Sequence, residues 1–314
     1  MRRLLNADLV RLALPAVSLG VLLAAVFYLQ PRAMSYLGLN LLFNLAVPIA
    51  LATIAQMLII AVNDLDLSIG TYVSLVACIA ATFLNETPVL GVLLLFGGIA
   101  TYALLGALIH WRQLPSIVVT LGMSFVWSGL AVLLLPSPGG VSPAWIRALM
   151  TAKPPVVPMA IVASVLIAIV AHFLVMRTSL GVMIRGVGGN ARAVERAGWS
   201  VLQIKTAAFG LAGLFSTLAG ISLIGLTTSA DANIALRYTL LSIAGVILGG
   251  GEFVGGRVSP IGAVLGALTL TLAGSFLSFL RLSPDWQIGA QGIILILVLA
   301  VRLLVSRKRA RERP

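Results

Sequence analysis

Residues 177–205 read RTSLGVMIRGVGGNARAVERAGWSVLQIK. This is the longest polar interval in a chain that is 60% hydrophobic, and it holds five positive charges. It lies between two charge-free apolar runs, each long enough to cross a bilayer. An interval of this size with its own internal pattern reads as a functional segment rather than a connector. Within it Gly188-Gly189-Asn190 is a turn signal, and 191–197 predicts a short helix that Gly198 stops. A short helix lying across a membrane surface can receive a push from a soluble partner. That makes the interval the candidate transducing element.

The whole chain agrees with a membrane setting. It has 314 residues, only 10% of them charged, and a mean hydropathy of +1.10. A soluble protein of this size has no way to hide so much apolar surface, so an all-α, polytopic membrane protein is expected. About ten transmembrane helices in one bundle can be drawn: 12–29, 38–62, 67–84, 89–110, 115–135, 155–176, 206–228, 238–250, 258–280 and 287–305. The start of the chain has the outline of a signal peptide. Its apolar run, 12–29, is longer than a signal core, so an uncleaved first span is expected. The thirteen residues of 238–250 would rise only about 20 Å as a helix. That element is read as a crossing in which a discontinuous helix is allowed, because broken backbone belongs where it faces protein or a water-filled cavity.

Net charge is +12, but the charges sit in loops and tails, where they set topology, and no nucleic-acid partner is expected. With ten spans both termini fall on one side. Arg32, Arg147, Lys153, Arg237 and Arg281 then lie on the other side, and the remaining sixteen of the 21 Lys and Arg share the side of the termini. That asymmetry predicts cytoplasmic termini, a cytoplasmic 177–205 loop, and a basic cytoplasmic tail, 306–314, able to touch anionic membrane lipid. The lone Cys78 lies inside an apolar run and reads as a packed small residue.

Polar residues within the apolar runs are the candidates for a translocation pathway. Asn40, Asn44 and Gln56 lie along the second span, with Asn40 and Asn44 one turn apart. Thr120, Ser124 and Ser128 form a stripe in the fifth span beside Gly122 and Gly129. Interhelical hydrogen bonding and close packing explain such residues as readily as a polar route does. Asp64 and Asp66, in VNDLDLSIG, fall at or just inside a membrane boundary, where carboxylates are costly. Asp66 or Ser68 is equally well placed as the N-cap of the next helix. His110 and His172 read as interfacial or packed residues. Gly262 and Gly266 form a small-xxx-small pair suited to tight helix packing. GGGEFVGGRVSPIG, around Gly249, loosely echoes VNDLDLSIG as a polar break, in the manner of transporter repeats. No lysine follows a glycine, so the chain has no phosphate-binding Gly-Lys-Ser/Thr loop of its own.

Four stretches together carry a family resemblance: LPSIVVTLG with SGL (114–130), DLSIG (66–70), RTSLGVMIRGVGGNARAVERAG (177–198) and ILGGGEFVGGRVSPIGAVLGA (247–267). They resemble the ribose-type permeases of bacterial ABC importers, from the second span onward. The most specific part is the loop motif carried by Arg177, Thr178, Gly181, Gly188, Gly189, Asn190, Ala193 and Gly198, with Glu195 inside it. The resemblance implies a core of two permeases (a second copy or a paralogue), two ATP-binding domains and a periplasmic substrate-binding protein. It further implies that the loop docks on the ATPase, which holds ATP and magnesium, so that this subunit needs no cofactor and is not an enzyme. One departure stands out: the family usually has a glycine pair before Asp-Leu-Ser, where this chain has Asn63-Asp64.

The reading is therefore the membrane subunit of an inner-membrane importer for a sugar or polyol. An ABC permease for a branched-chain amino acid or nucleoside is the neighbouring alternative. A proton-coupled secondary transporter is the alternative from another class, and it calls for ionisable residues near mid-membrane. The spans as drawn contain none.

Overall fold

The computed structural model describes residues 2–280, with positions 286, 289, 292 and 293 beyond them. The helices in order are α1 (Arg2–Leu29), α2 (Tyr36–Leu42), α3 (Ala46–Ile60), α4 (Ile69–Glu86), α5 (Pro88–Trp111) and α6 (Ser116–Leu134). There follow α7 (Ala144–Met150), α8 (Met159–His172), α9 (Ser179–Arg196), α10 (Val201–Thr227), α11 (Tyr238–Leu248) and α12 (Pro260–Phe279). Among the described residues the one extended pairing is an isolated bridge between Gly139 and Ala230. The all-helical class stands.

The span count differs from the ten drawn. Seven segments among the described residues are long and apolar enough to cross a membrane, beginning with the combined Tyr36–Ile60 and ending with Pro260–Ser278. Pro15–Leu29 and Tyr238–Leu248 are shorter apolar helices, while the span drawn at 287–305, save positions 289, 292 and 293, and the basic tail lie outside the described residues. The shortness of α11 has a local cause: Gly249, Gly250 and Gly251 follow its last turn, and Gly250 takes a positive φ of 94° that ends the helix.

Burial sorts the helices into a centre and a rim. All fifteen residues of α3 are buried, as expected of a helix that is apolar all round. It packs against α10, α11 and α12. In contrast α5, α6 and α8 turn large apolar side chains outward, among them Leu104, Phe125 and Leu166. In water such a rim would be an aggregation surface; in a bilayer it is the lipid face.

Small residues set the closest approach. Gly245 of α11 and its C-cap Gly249 interlock with Gly262 and Gly266 of α12: a Cβ at Gly262 would overlap the Gly249 carbonyl, and one at Gly266 the Gly245 carbonyl. The small-xxx-small pair therefore does what packing alone suggests.

The connections segregate to two ends, as alternating spans require. At one end meet the α3–α4 connection, the start of α6, the α9 region and the α11–α12 connection, tied by the hydrogen bonds described below. At the opposite end Asn85 donates to Val141 O at 2.8 Å, Gly139 pairs with Ala230, and Ser142 N donates to Thr228 O at 3.0 Å.

The glycine zipper predicts a contrast between two valine substitutions. Gly262→Val should cost about 1–3 kcal/mol by overpacking. Gly97→Val, on a position with nothing within 4 Å, should be near neutral. Thermal unfolding of the two purified variants in one detergent measures the difference.

Candidate functional site

The site is the end at which Asn190 lies. A short π-helix, Phe173–Arg177, closes α8, and Thr178 then turns the chain into α9. The Thr178 hydroxyl donates to Leu174 O at 2.5 Å and accepts from Gly181 N at 3.1 Å, so it caps α9 while closing the helix before it. Gly181 is needed at the elbow because a Cβ there would overlap the carbonyls of Leu174 and Val175. Arg177 is exposed on the outside of the bend.

What the sequence presents as a turn at Gly188-Gly189-Asn190 is a kink inside a longer helical segment. Gly188 and Gly189 are helical, and only Asn190 leaves the helix, at φ −161° and ψ 93°. Its Oδ1 accepts from Ala193 N at 3.1 Å, which caps a new helical turn over 191–196. Gly198 ends that turn at φ +86°, and Ser200 caps α10 through Gln203 N at 3.4 Å. The expected short helix stopped at Gly198 is therefore present. Ala193, Glu195 and Arg196 on it are exposed, as is the neighbouring Trp199. Within 179–189, Gly181, Ile184, Val187 and Gly188 are buried at helical spacing while Ser179, Val182 and Gly189 are exposed, so this part of the interval is a helix with one buried face and not a loop.

The two glycines have different surroundings. A Cβ on Gly188 would overlap the carbonyl oxygen of Ala61, at the end of α3, and lie against Gly256 of the α11–α12 connection. A Cβ on Gly189 would meet only Gly255 O, at 3.8 Å. Gly188 is thus the contact point between α9, the end of α3 and the α11–α12 connection.

Asn63 fastens the same three segments. Its Nδ2 donates to Gly188 O at 2.7 Å and its Oδ1 accepts from Gly255 N at 3.1 Å. It adopts a left-handed φ of 61°, a conformation open to glycine and tolerated by asparagine. Next to it, Asp64 accepts an ion-paired hydrogen bond from Lys205 of α10 at 2.7 Å, with the two side chains 10% and 16% exposed.

From Asp64 the chain climbs into the bundle in extended form. Leu65 N donates to Ser116 Oγ at 3.2 Å and Leu67 N to Thr120 Oγ1 at 3.1 Å, so the start of α6 satisfies backbone that has no helix of its own. Asp66 is fully buried at the level of Tyr102, which lies nine residues before the end of α5, about 13 Å in at 1.5 Å per residue. Its Oδ1 accepts from Ser68 N at 2.6 Å and Ser68 Oγ at 2.7 Å, and its Oδ2 accepts from Tyr102 at 2.8 Å. Ser68 occupies the N-cap of α4 without a capping side-chain bond; Thr239 of α11 accepts from Gly70 N instead, at 2.9 Å.

The pathway candidates do not form one group. Asn44 sits in the break between α2 and α3 and lines a cavity at the opposite end, whereas Asn40 is half-buried on α2 and does not line it. Gln56 is buried inside the bundle, with no hydrogen-bond partner among the described residues for either side-chain polar atom. Thr120 is spent on the Leu65–Leu67 backbone, and the Ser124 hydroxyl on Leu121 O. Residues that sequence reasoning missed are Lys205 as the partner of Asp64, and the Tyr72–Tyr102–Trp127 cluster around Asp66, with Tyr72 bonded to Thr217 at 2.8 Å. No local spacing signals these contacts, which join residues 25 to 145 positions apart.

A family model described as "Branched-chain amino acid transport system / permease component" matches residues 38–299. The chain belongs to this family. The match runs from the second span through the Asn190 junction and past α12. Among curated relatives, the ribose import permease protein RbsC of Escherichia coli is 27% identical over 300 residues, which cover 91% of each chain. The probable ABC transporter permease protein YphD of Escherichia coli is 29% identical over 302 residues, 92% of this chain and 90% of that one. The autoinducer 2 import system permease protein LsrC of Photorhabdus luminescens is 30% identical over 277 residues, covering 83% and 80%. No solved structure matches the chain. The permease is a multi-pass membrane protein and a non-catalytic translocation component.

The unequal packing of its two adjacent glycines gives the permease a direct test. Gly188→Ala should cost about 1–3 kcal/mol and loosen the junction, while Gly189→Ala should fall within about 0.5 kcal/mol of the parent. Thermal unfolding gives the first comparison, and protease cleavage within 185–200 gives the second. Equal behaviour of the two variants would contradict the packing at Gly188.

Proposed function

We propose that the permease is the membrane subunit of an ATP-driven importer in the bacterial inner membrane, with a sugar or polyol as cargo and the Asn190 end in the cytoplasm. The carrying observation is the exposed turn at 191–196, capped by Asn190 and hung on a junction that holds α3, α9, α10 and the α11–α12 connection together. An ATPase pressing on that turn would act on several spanning helices at once. Arg177, Gly181, Gly188, Gly189, Asn190, Ala193, Glu195 and Gly198 are the coupling residues on this reading. ATP and magnesium belong to two partner ATPase domains, and a second permease, the same or a paralogue, completes the pathway. Both termini lie in the cytoplasm by the charge asymmetry.

The cargo class draws support from the relatives, which are named for ribose and autoinducer 2. It also draws support from a cavity of about 240 Å³ at the opposite end, where a periplasmic binding protein would deliver its load. Asn44, Arg237, Tyr238, Thr271 and Ser275 line it, at the break between α2 and α3 and the first turn of α11. A broken helix beside a cavity is where transporters place substrate. The Tyr238 hydroxyl is buried and has no hydrogen-bond partner among the described residues. Hydroxyls of a neutral solute would supply one. No carboxylate lines the cavity, so nothing there matches the ammonium group of an amino acid. Asp66 is the buried acid a proton-coupled carrier would need, but both its oxygens are held by Ser68 and Tyr102.

Two measurements test this. Titration of the cognate binding protein should show a neutral monosaccharide or polyol bound, and binding confined to amino acids would overturn the cargo class. Tyr238→Phe removes one hydroxyl that the fold does not use, so stability should be unchanged. The uptake KM should rise about five-fold, the equivalent of about 1 kcal/mol for one lost hydrogen bond.

A further inference from the structure

A cavity of about 590 Å³ opens at the Asn190 end between the end of α8, the middle of α9, the 250–258 connection and the start of α12. It is lined by two arginines, Arg185 and Arg257, with His172, Met176, Ser259 and Ile261 among their neighbours, and no carboxylate lines it. The Nε of Arg185 is buried and has no hydrogen-bond partner among the described residues. A buried guanidinium N–H left unmatched is costly and marks a place where an acceptor is missing. Arg257 pairs with Glu252 at 3.4 Å, but the two side chains are 60% and 39% exposed, and such a pair is weak. The first turn of the 20-residue α12 adds the positive end of a helix dipole to the same wall. The cavity therefore asks for an anion.

Size and position narrow the anion. The volume is far greater than one side-chain carboxylate fills. His172 and Met176 stand at the foot of α8, beside Ile169, Val170 and Phe173, which are all exposed on the apolar rim. The cavity thus lies where the lipid face of the bundle gives way to its polar end. Basic pockets between spanning helices at that depth suit phospholipid headgroups.

We propose that this cavity binds the phosphate of an anionic phospholipid headgroup, with Arg185 and Arg257 as its ligands and the acyl chains lying along α8. Arg185 belongs to α9 and Arg257 to the α11–α12 connection, and the Arg185 carbonyl packs against Gly256. A bound headgroup bridges the two segments that Asn63 also ties, and so stiffens the junction. The site does not depend on the identity of the cargo.

Delipidated permease in a neutral detergent is titrated with short-chain phosphatidylglycerol, phosphatidylcholine or inorganic phosphate, and binding is read by native mass spectrometry and thermal shift. Phosphatidylglycerol should bind and stabilise, with phosphatidylcholine and inorganic phosphate doing neither at the same concentration. Arg257→Gln, an exposed change that leaves folding intact, should weaken binding roughly five-fold, and Arg185→Gln by at least as much. Arg112→Gln removes an arginine at the same end that stacks on Trp111 at 4.4 Å, and should change nothing. Equal affinity in the parent and both cavity variants would overturn the proposal, as would an equal response to inorganic phosphate. In the assembled complex the parent should retain phosphatidylglycerol that both variants lose. Its absence there would assign the cavity to the ATPase interface instead, and would leave the cargo titration of the binding protein untouched.

Discussion

Asn63 is the side chain on which the Asn190 end depends. Within a bilayer, backbone that leaves the helix must find its hydrogen bonds inside the protein. The connection from α3 to α4 leaves it for eight residues, 61–68. Asn63 resolves the first part by taking the left-handed conformation a glycine would take and spending both amide atoms on the backbone of two other segments. Asn63 thus makes the bend and adds a tie. The neighbouring Asp64 adds a second tie, to Lys205. Together they turn a flexible corner into the point where four parts of the chain are fastened. The cost is specificity of fit: Gly188 and Gly256 must remain without side chains for the parts to meet.

The second part of the break is settled by Asp66. A carboxylate at this depth is expensive unless hydrogen-bonded. Here Ser68 donates twice and Tyr102 once, and the aromatic rings of Tyr72, Tyr102 and Trp127 close over the group. The extended stretch leading to it borrows Ser116 and Thr120 from α6, and the first turn of α4 borrows Thr239 from α11. Discontinuity in one helix is thus compensated by polar side chains on three others. Of those side chains only Thr120 stands out in the sequence, as part of the fifth-span stripe; Ser116, Tyr102 and Thr239 carry no local signal.

The same division explains what was legible beforehand. Long apolar runs announce spanning helices because the bilayer admits little else, and the positions of the seven long spans follow from them. Capping chemistry is local, so Gly198 and the short helix before it were readable from a few residues. The Gly188-Gly189-Asn190 signal was local too, yet it was read as a turn, because only packing against Ala61 and Gly256 reveals that both glycines serve close approach within a helix. Asn44 and Asn40 share a helical face only if the helix is continuous, and the break at 43–45 separates them. Nothing in the local sequence states that break; the fit of Ser275, which donates to Leu42 O at 2.8 Å, belongs to a residue 233 positions away.

The layout also constrains how a push at 191–196 can travel. The turn exposes Arg192, Ala193, Glu195 and Arg196 to a partner, and it rests on the core through Ala191 and Val194 beside its hinge at Asn190. The helical stretch behind it, 179–189, is anchored by buried Ile184, Val187 and Gly188. On the proposed coupling role, displacement would reach Asn63 and the Gly255–Gly256 corner first, and through them the ends of α3 and α12 at the junction. From α12 it passes to α11 across the glycine zipper, whose close backbone contact leaves no soft side chain to absorb it. The other end of α11 begins at Tyr238, in the wall of the cavity where Asn44 breaks the second span. A packed core moves by switching between discrete arrangements rather than by bending continuously. A rigid α11–α12 pair running between the two ends is the element in this fold able to make the distant cavity answer to the junction.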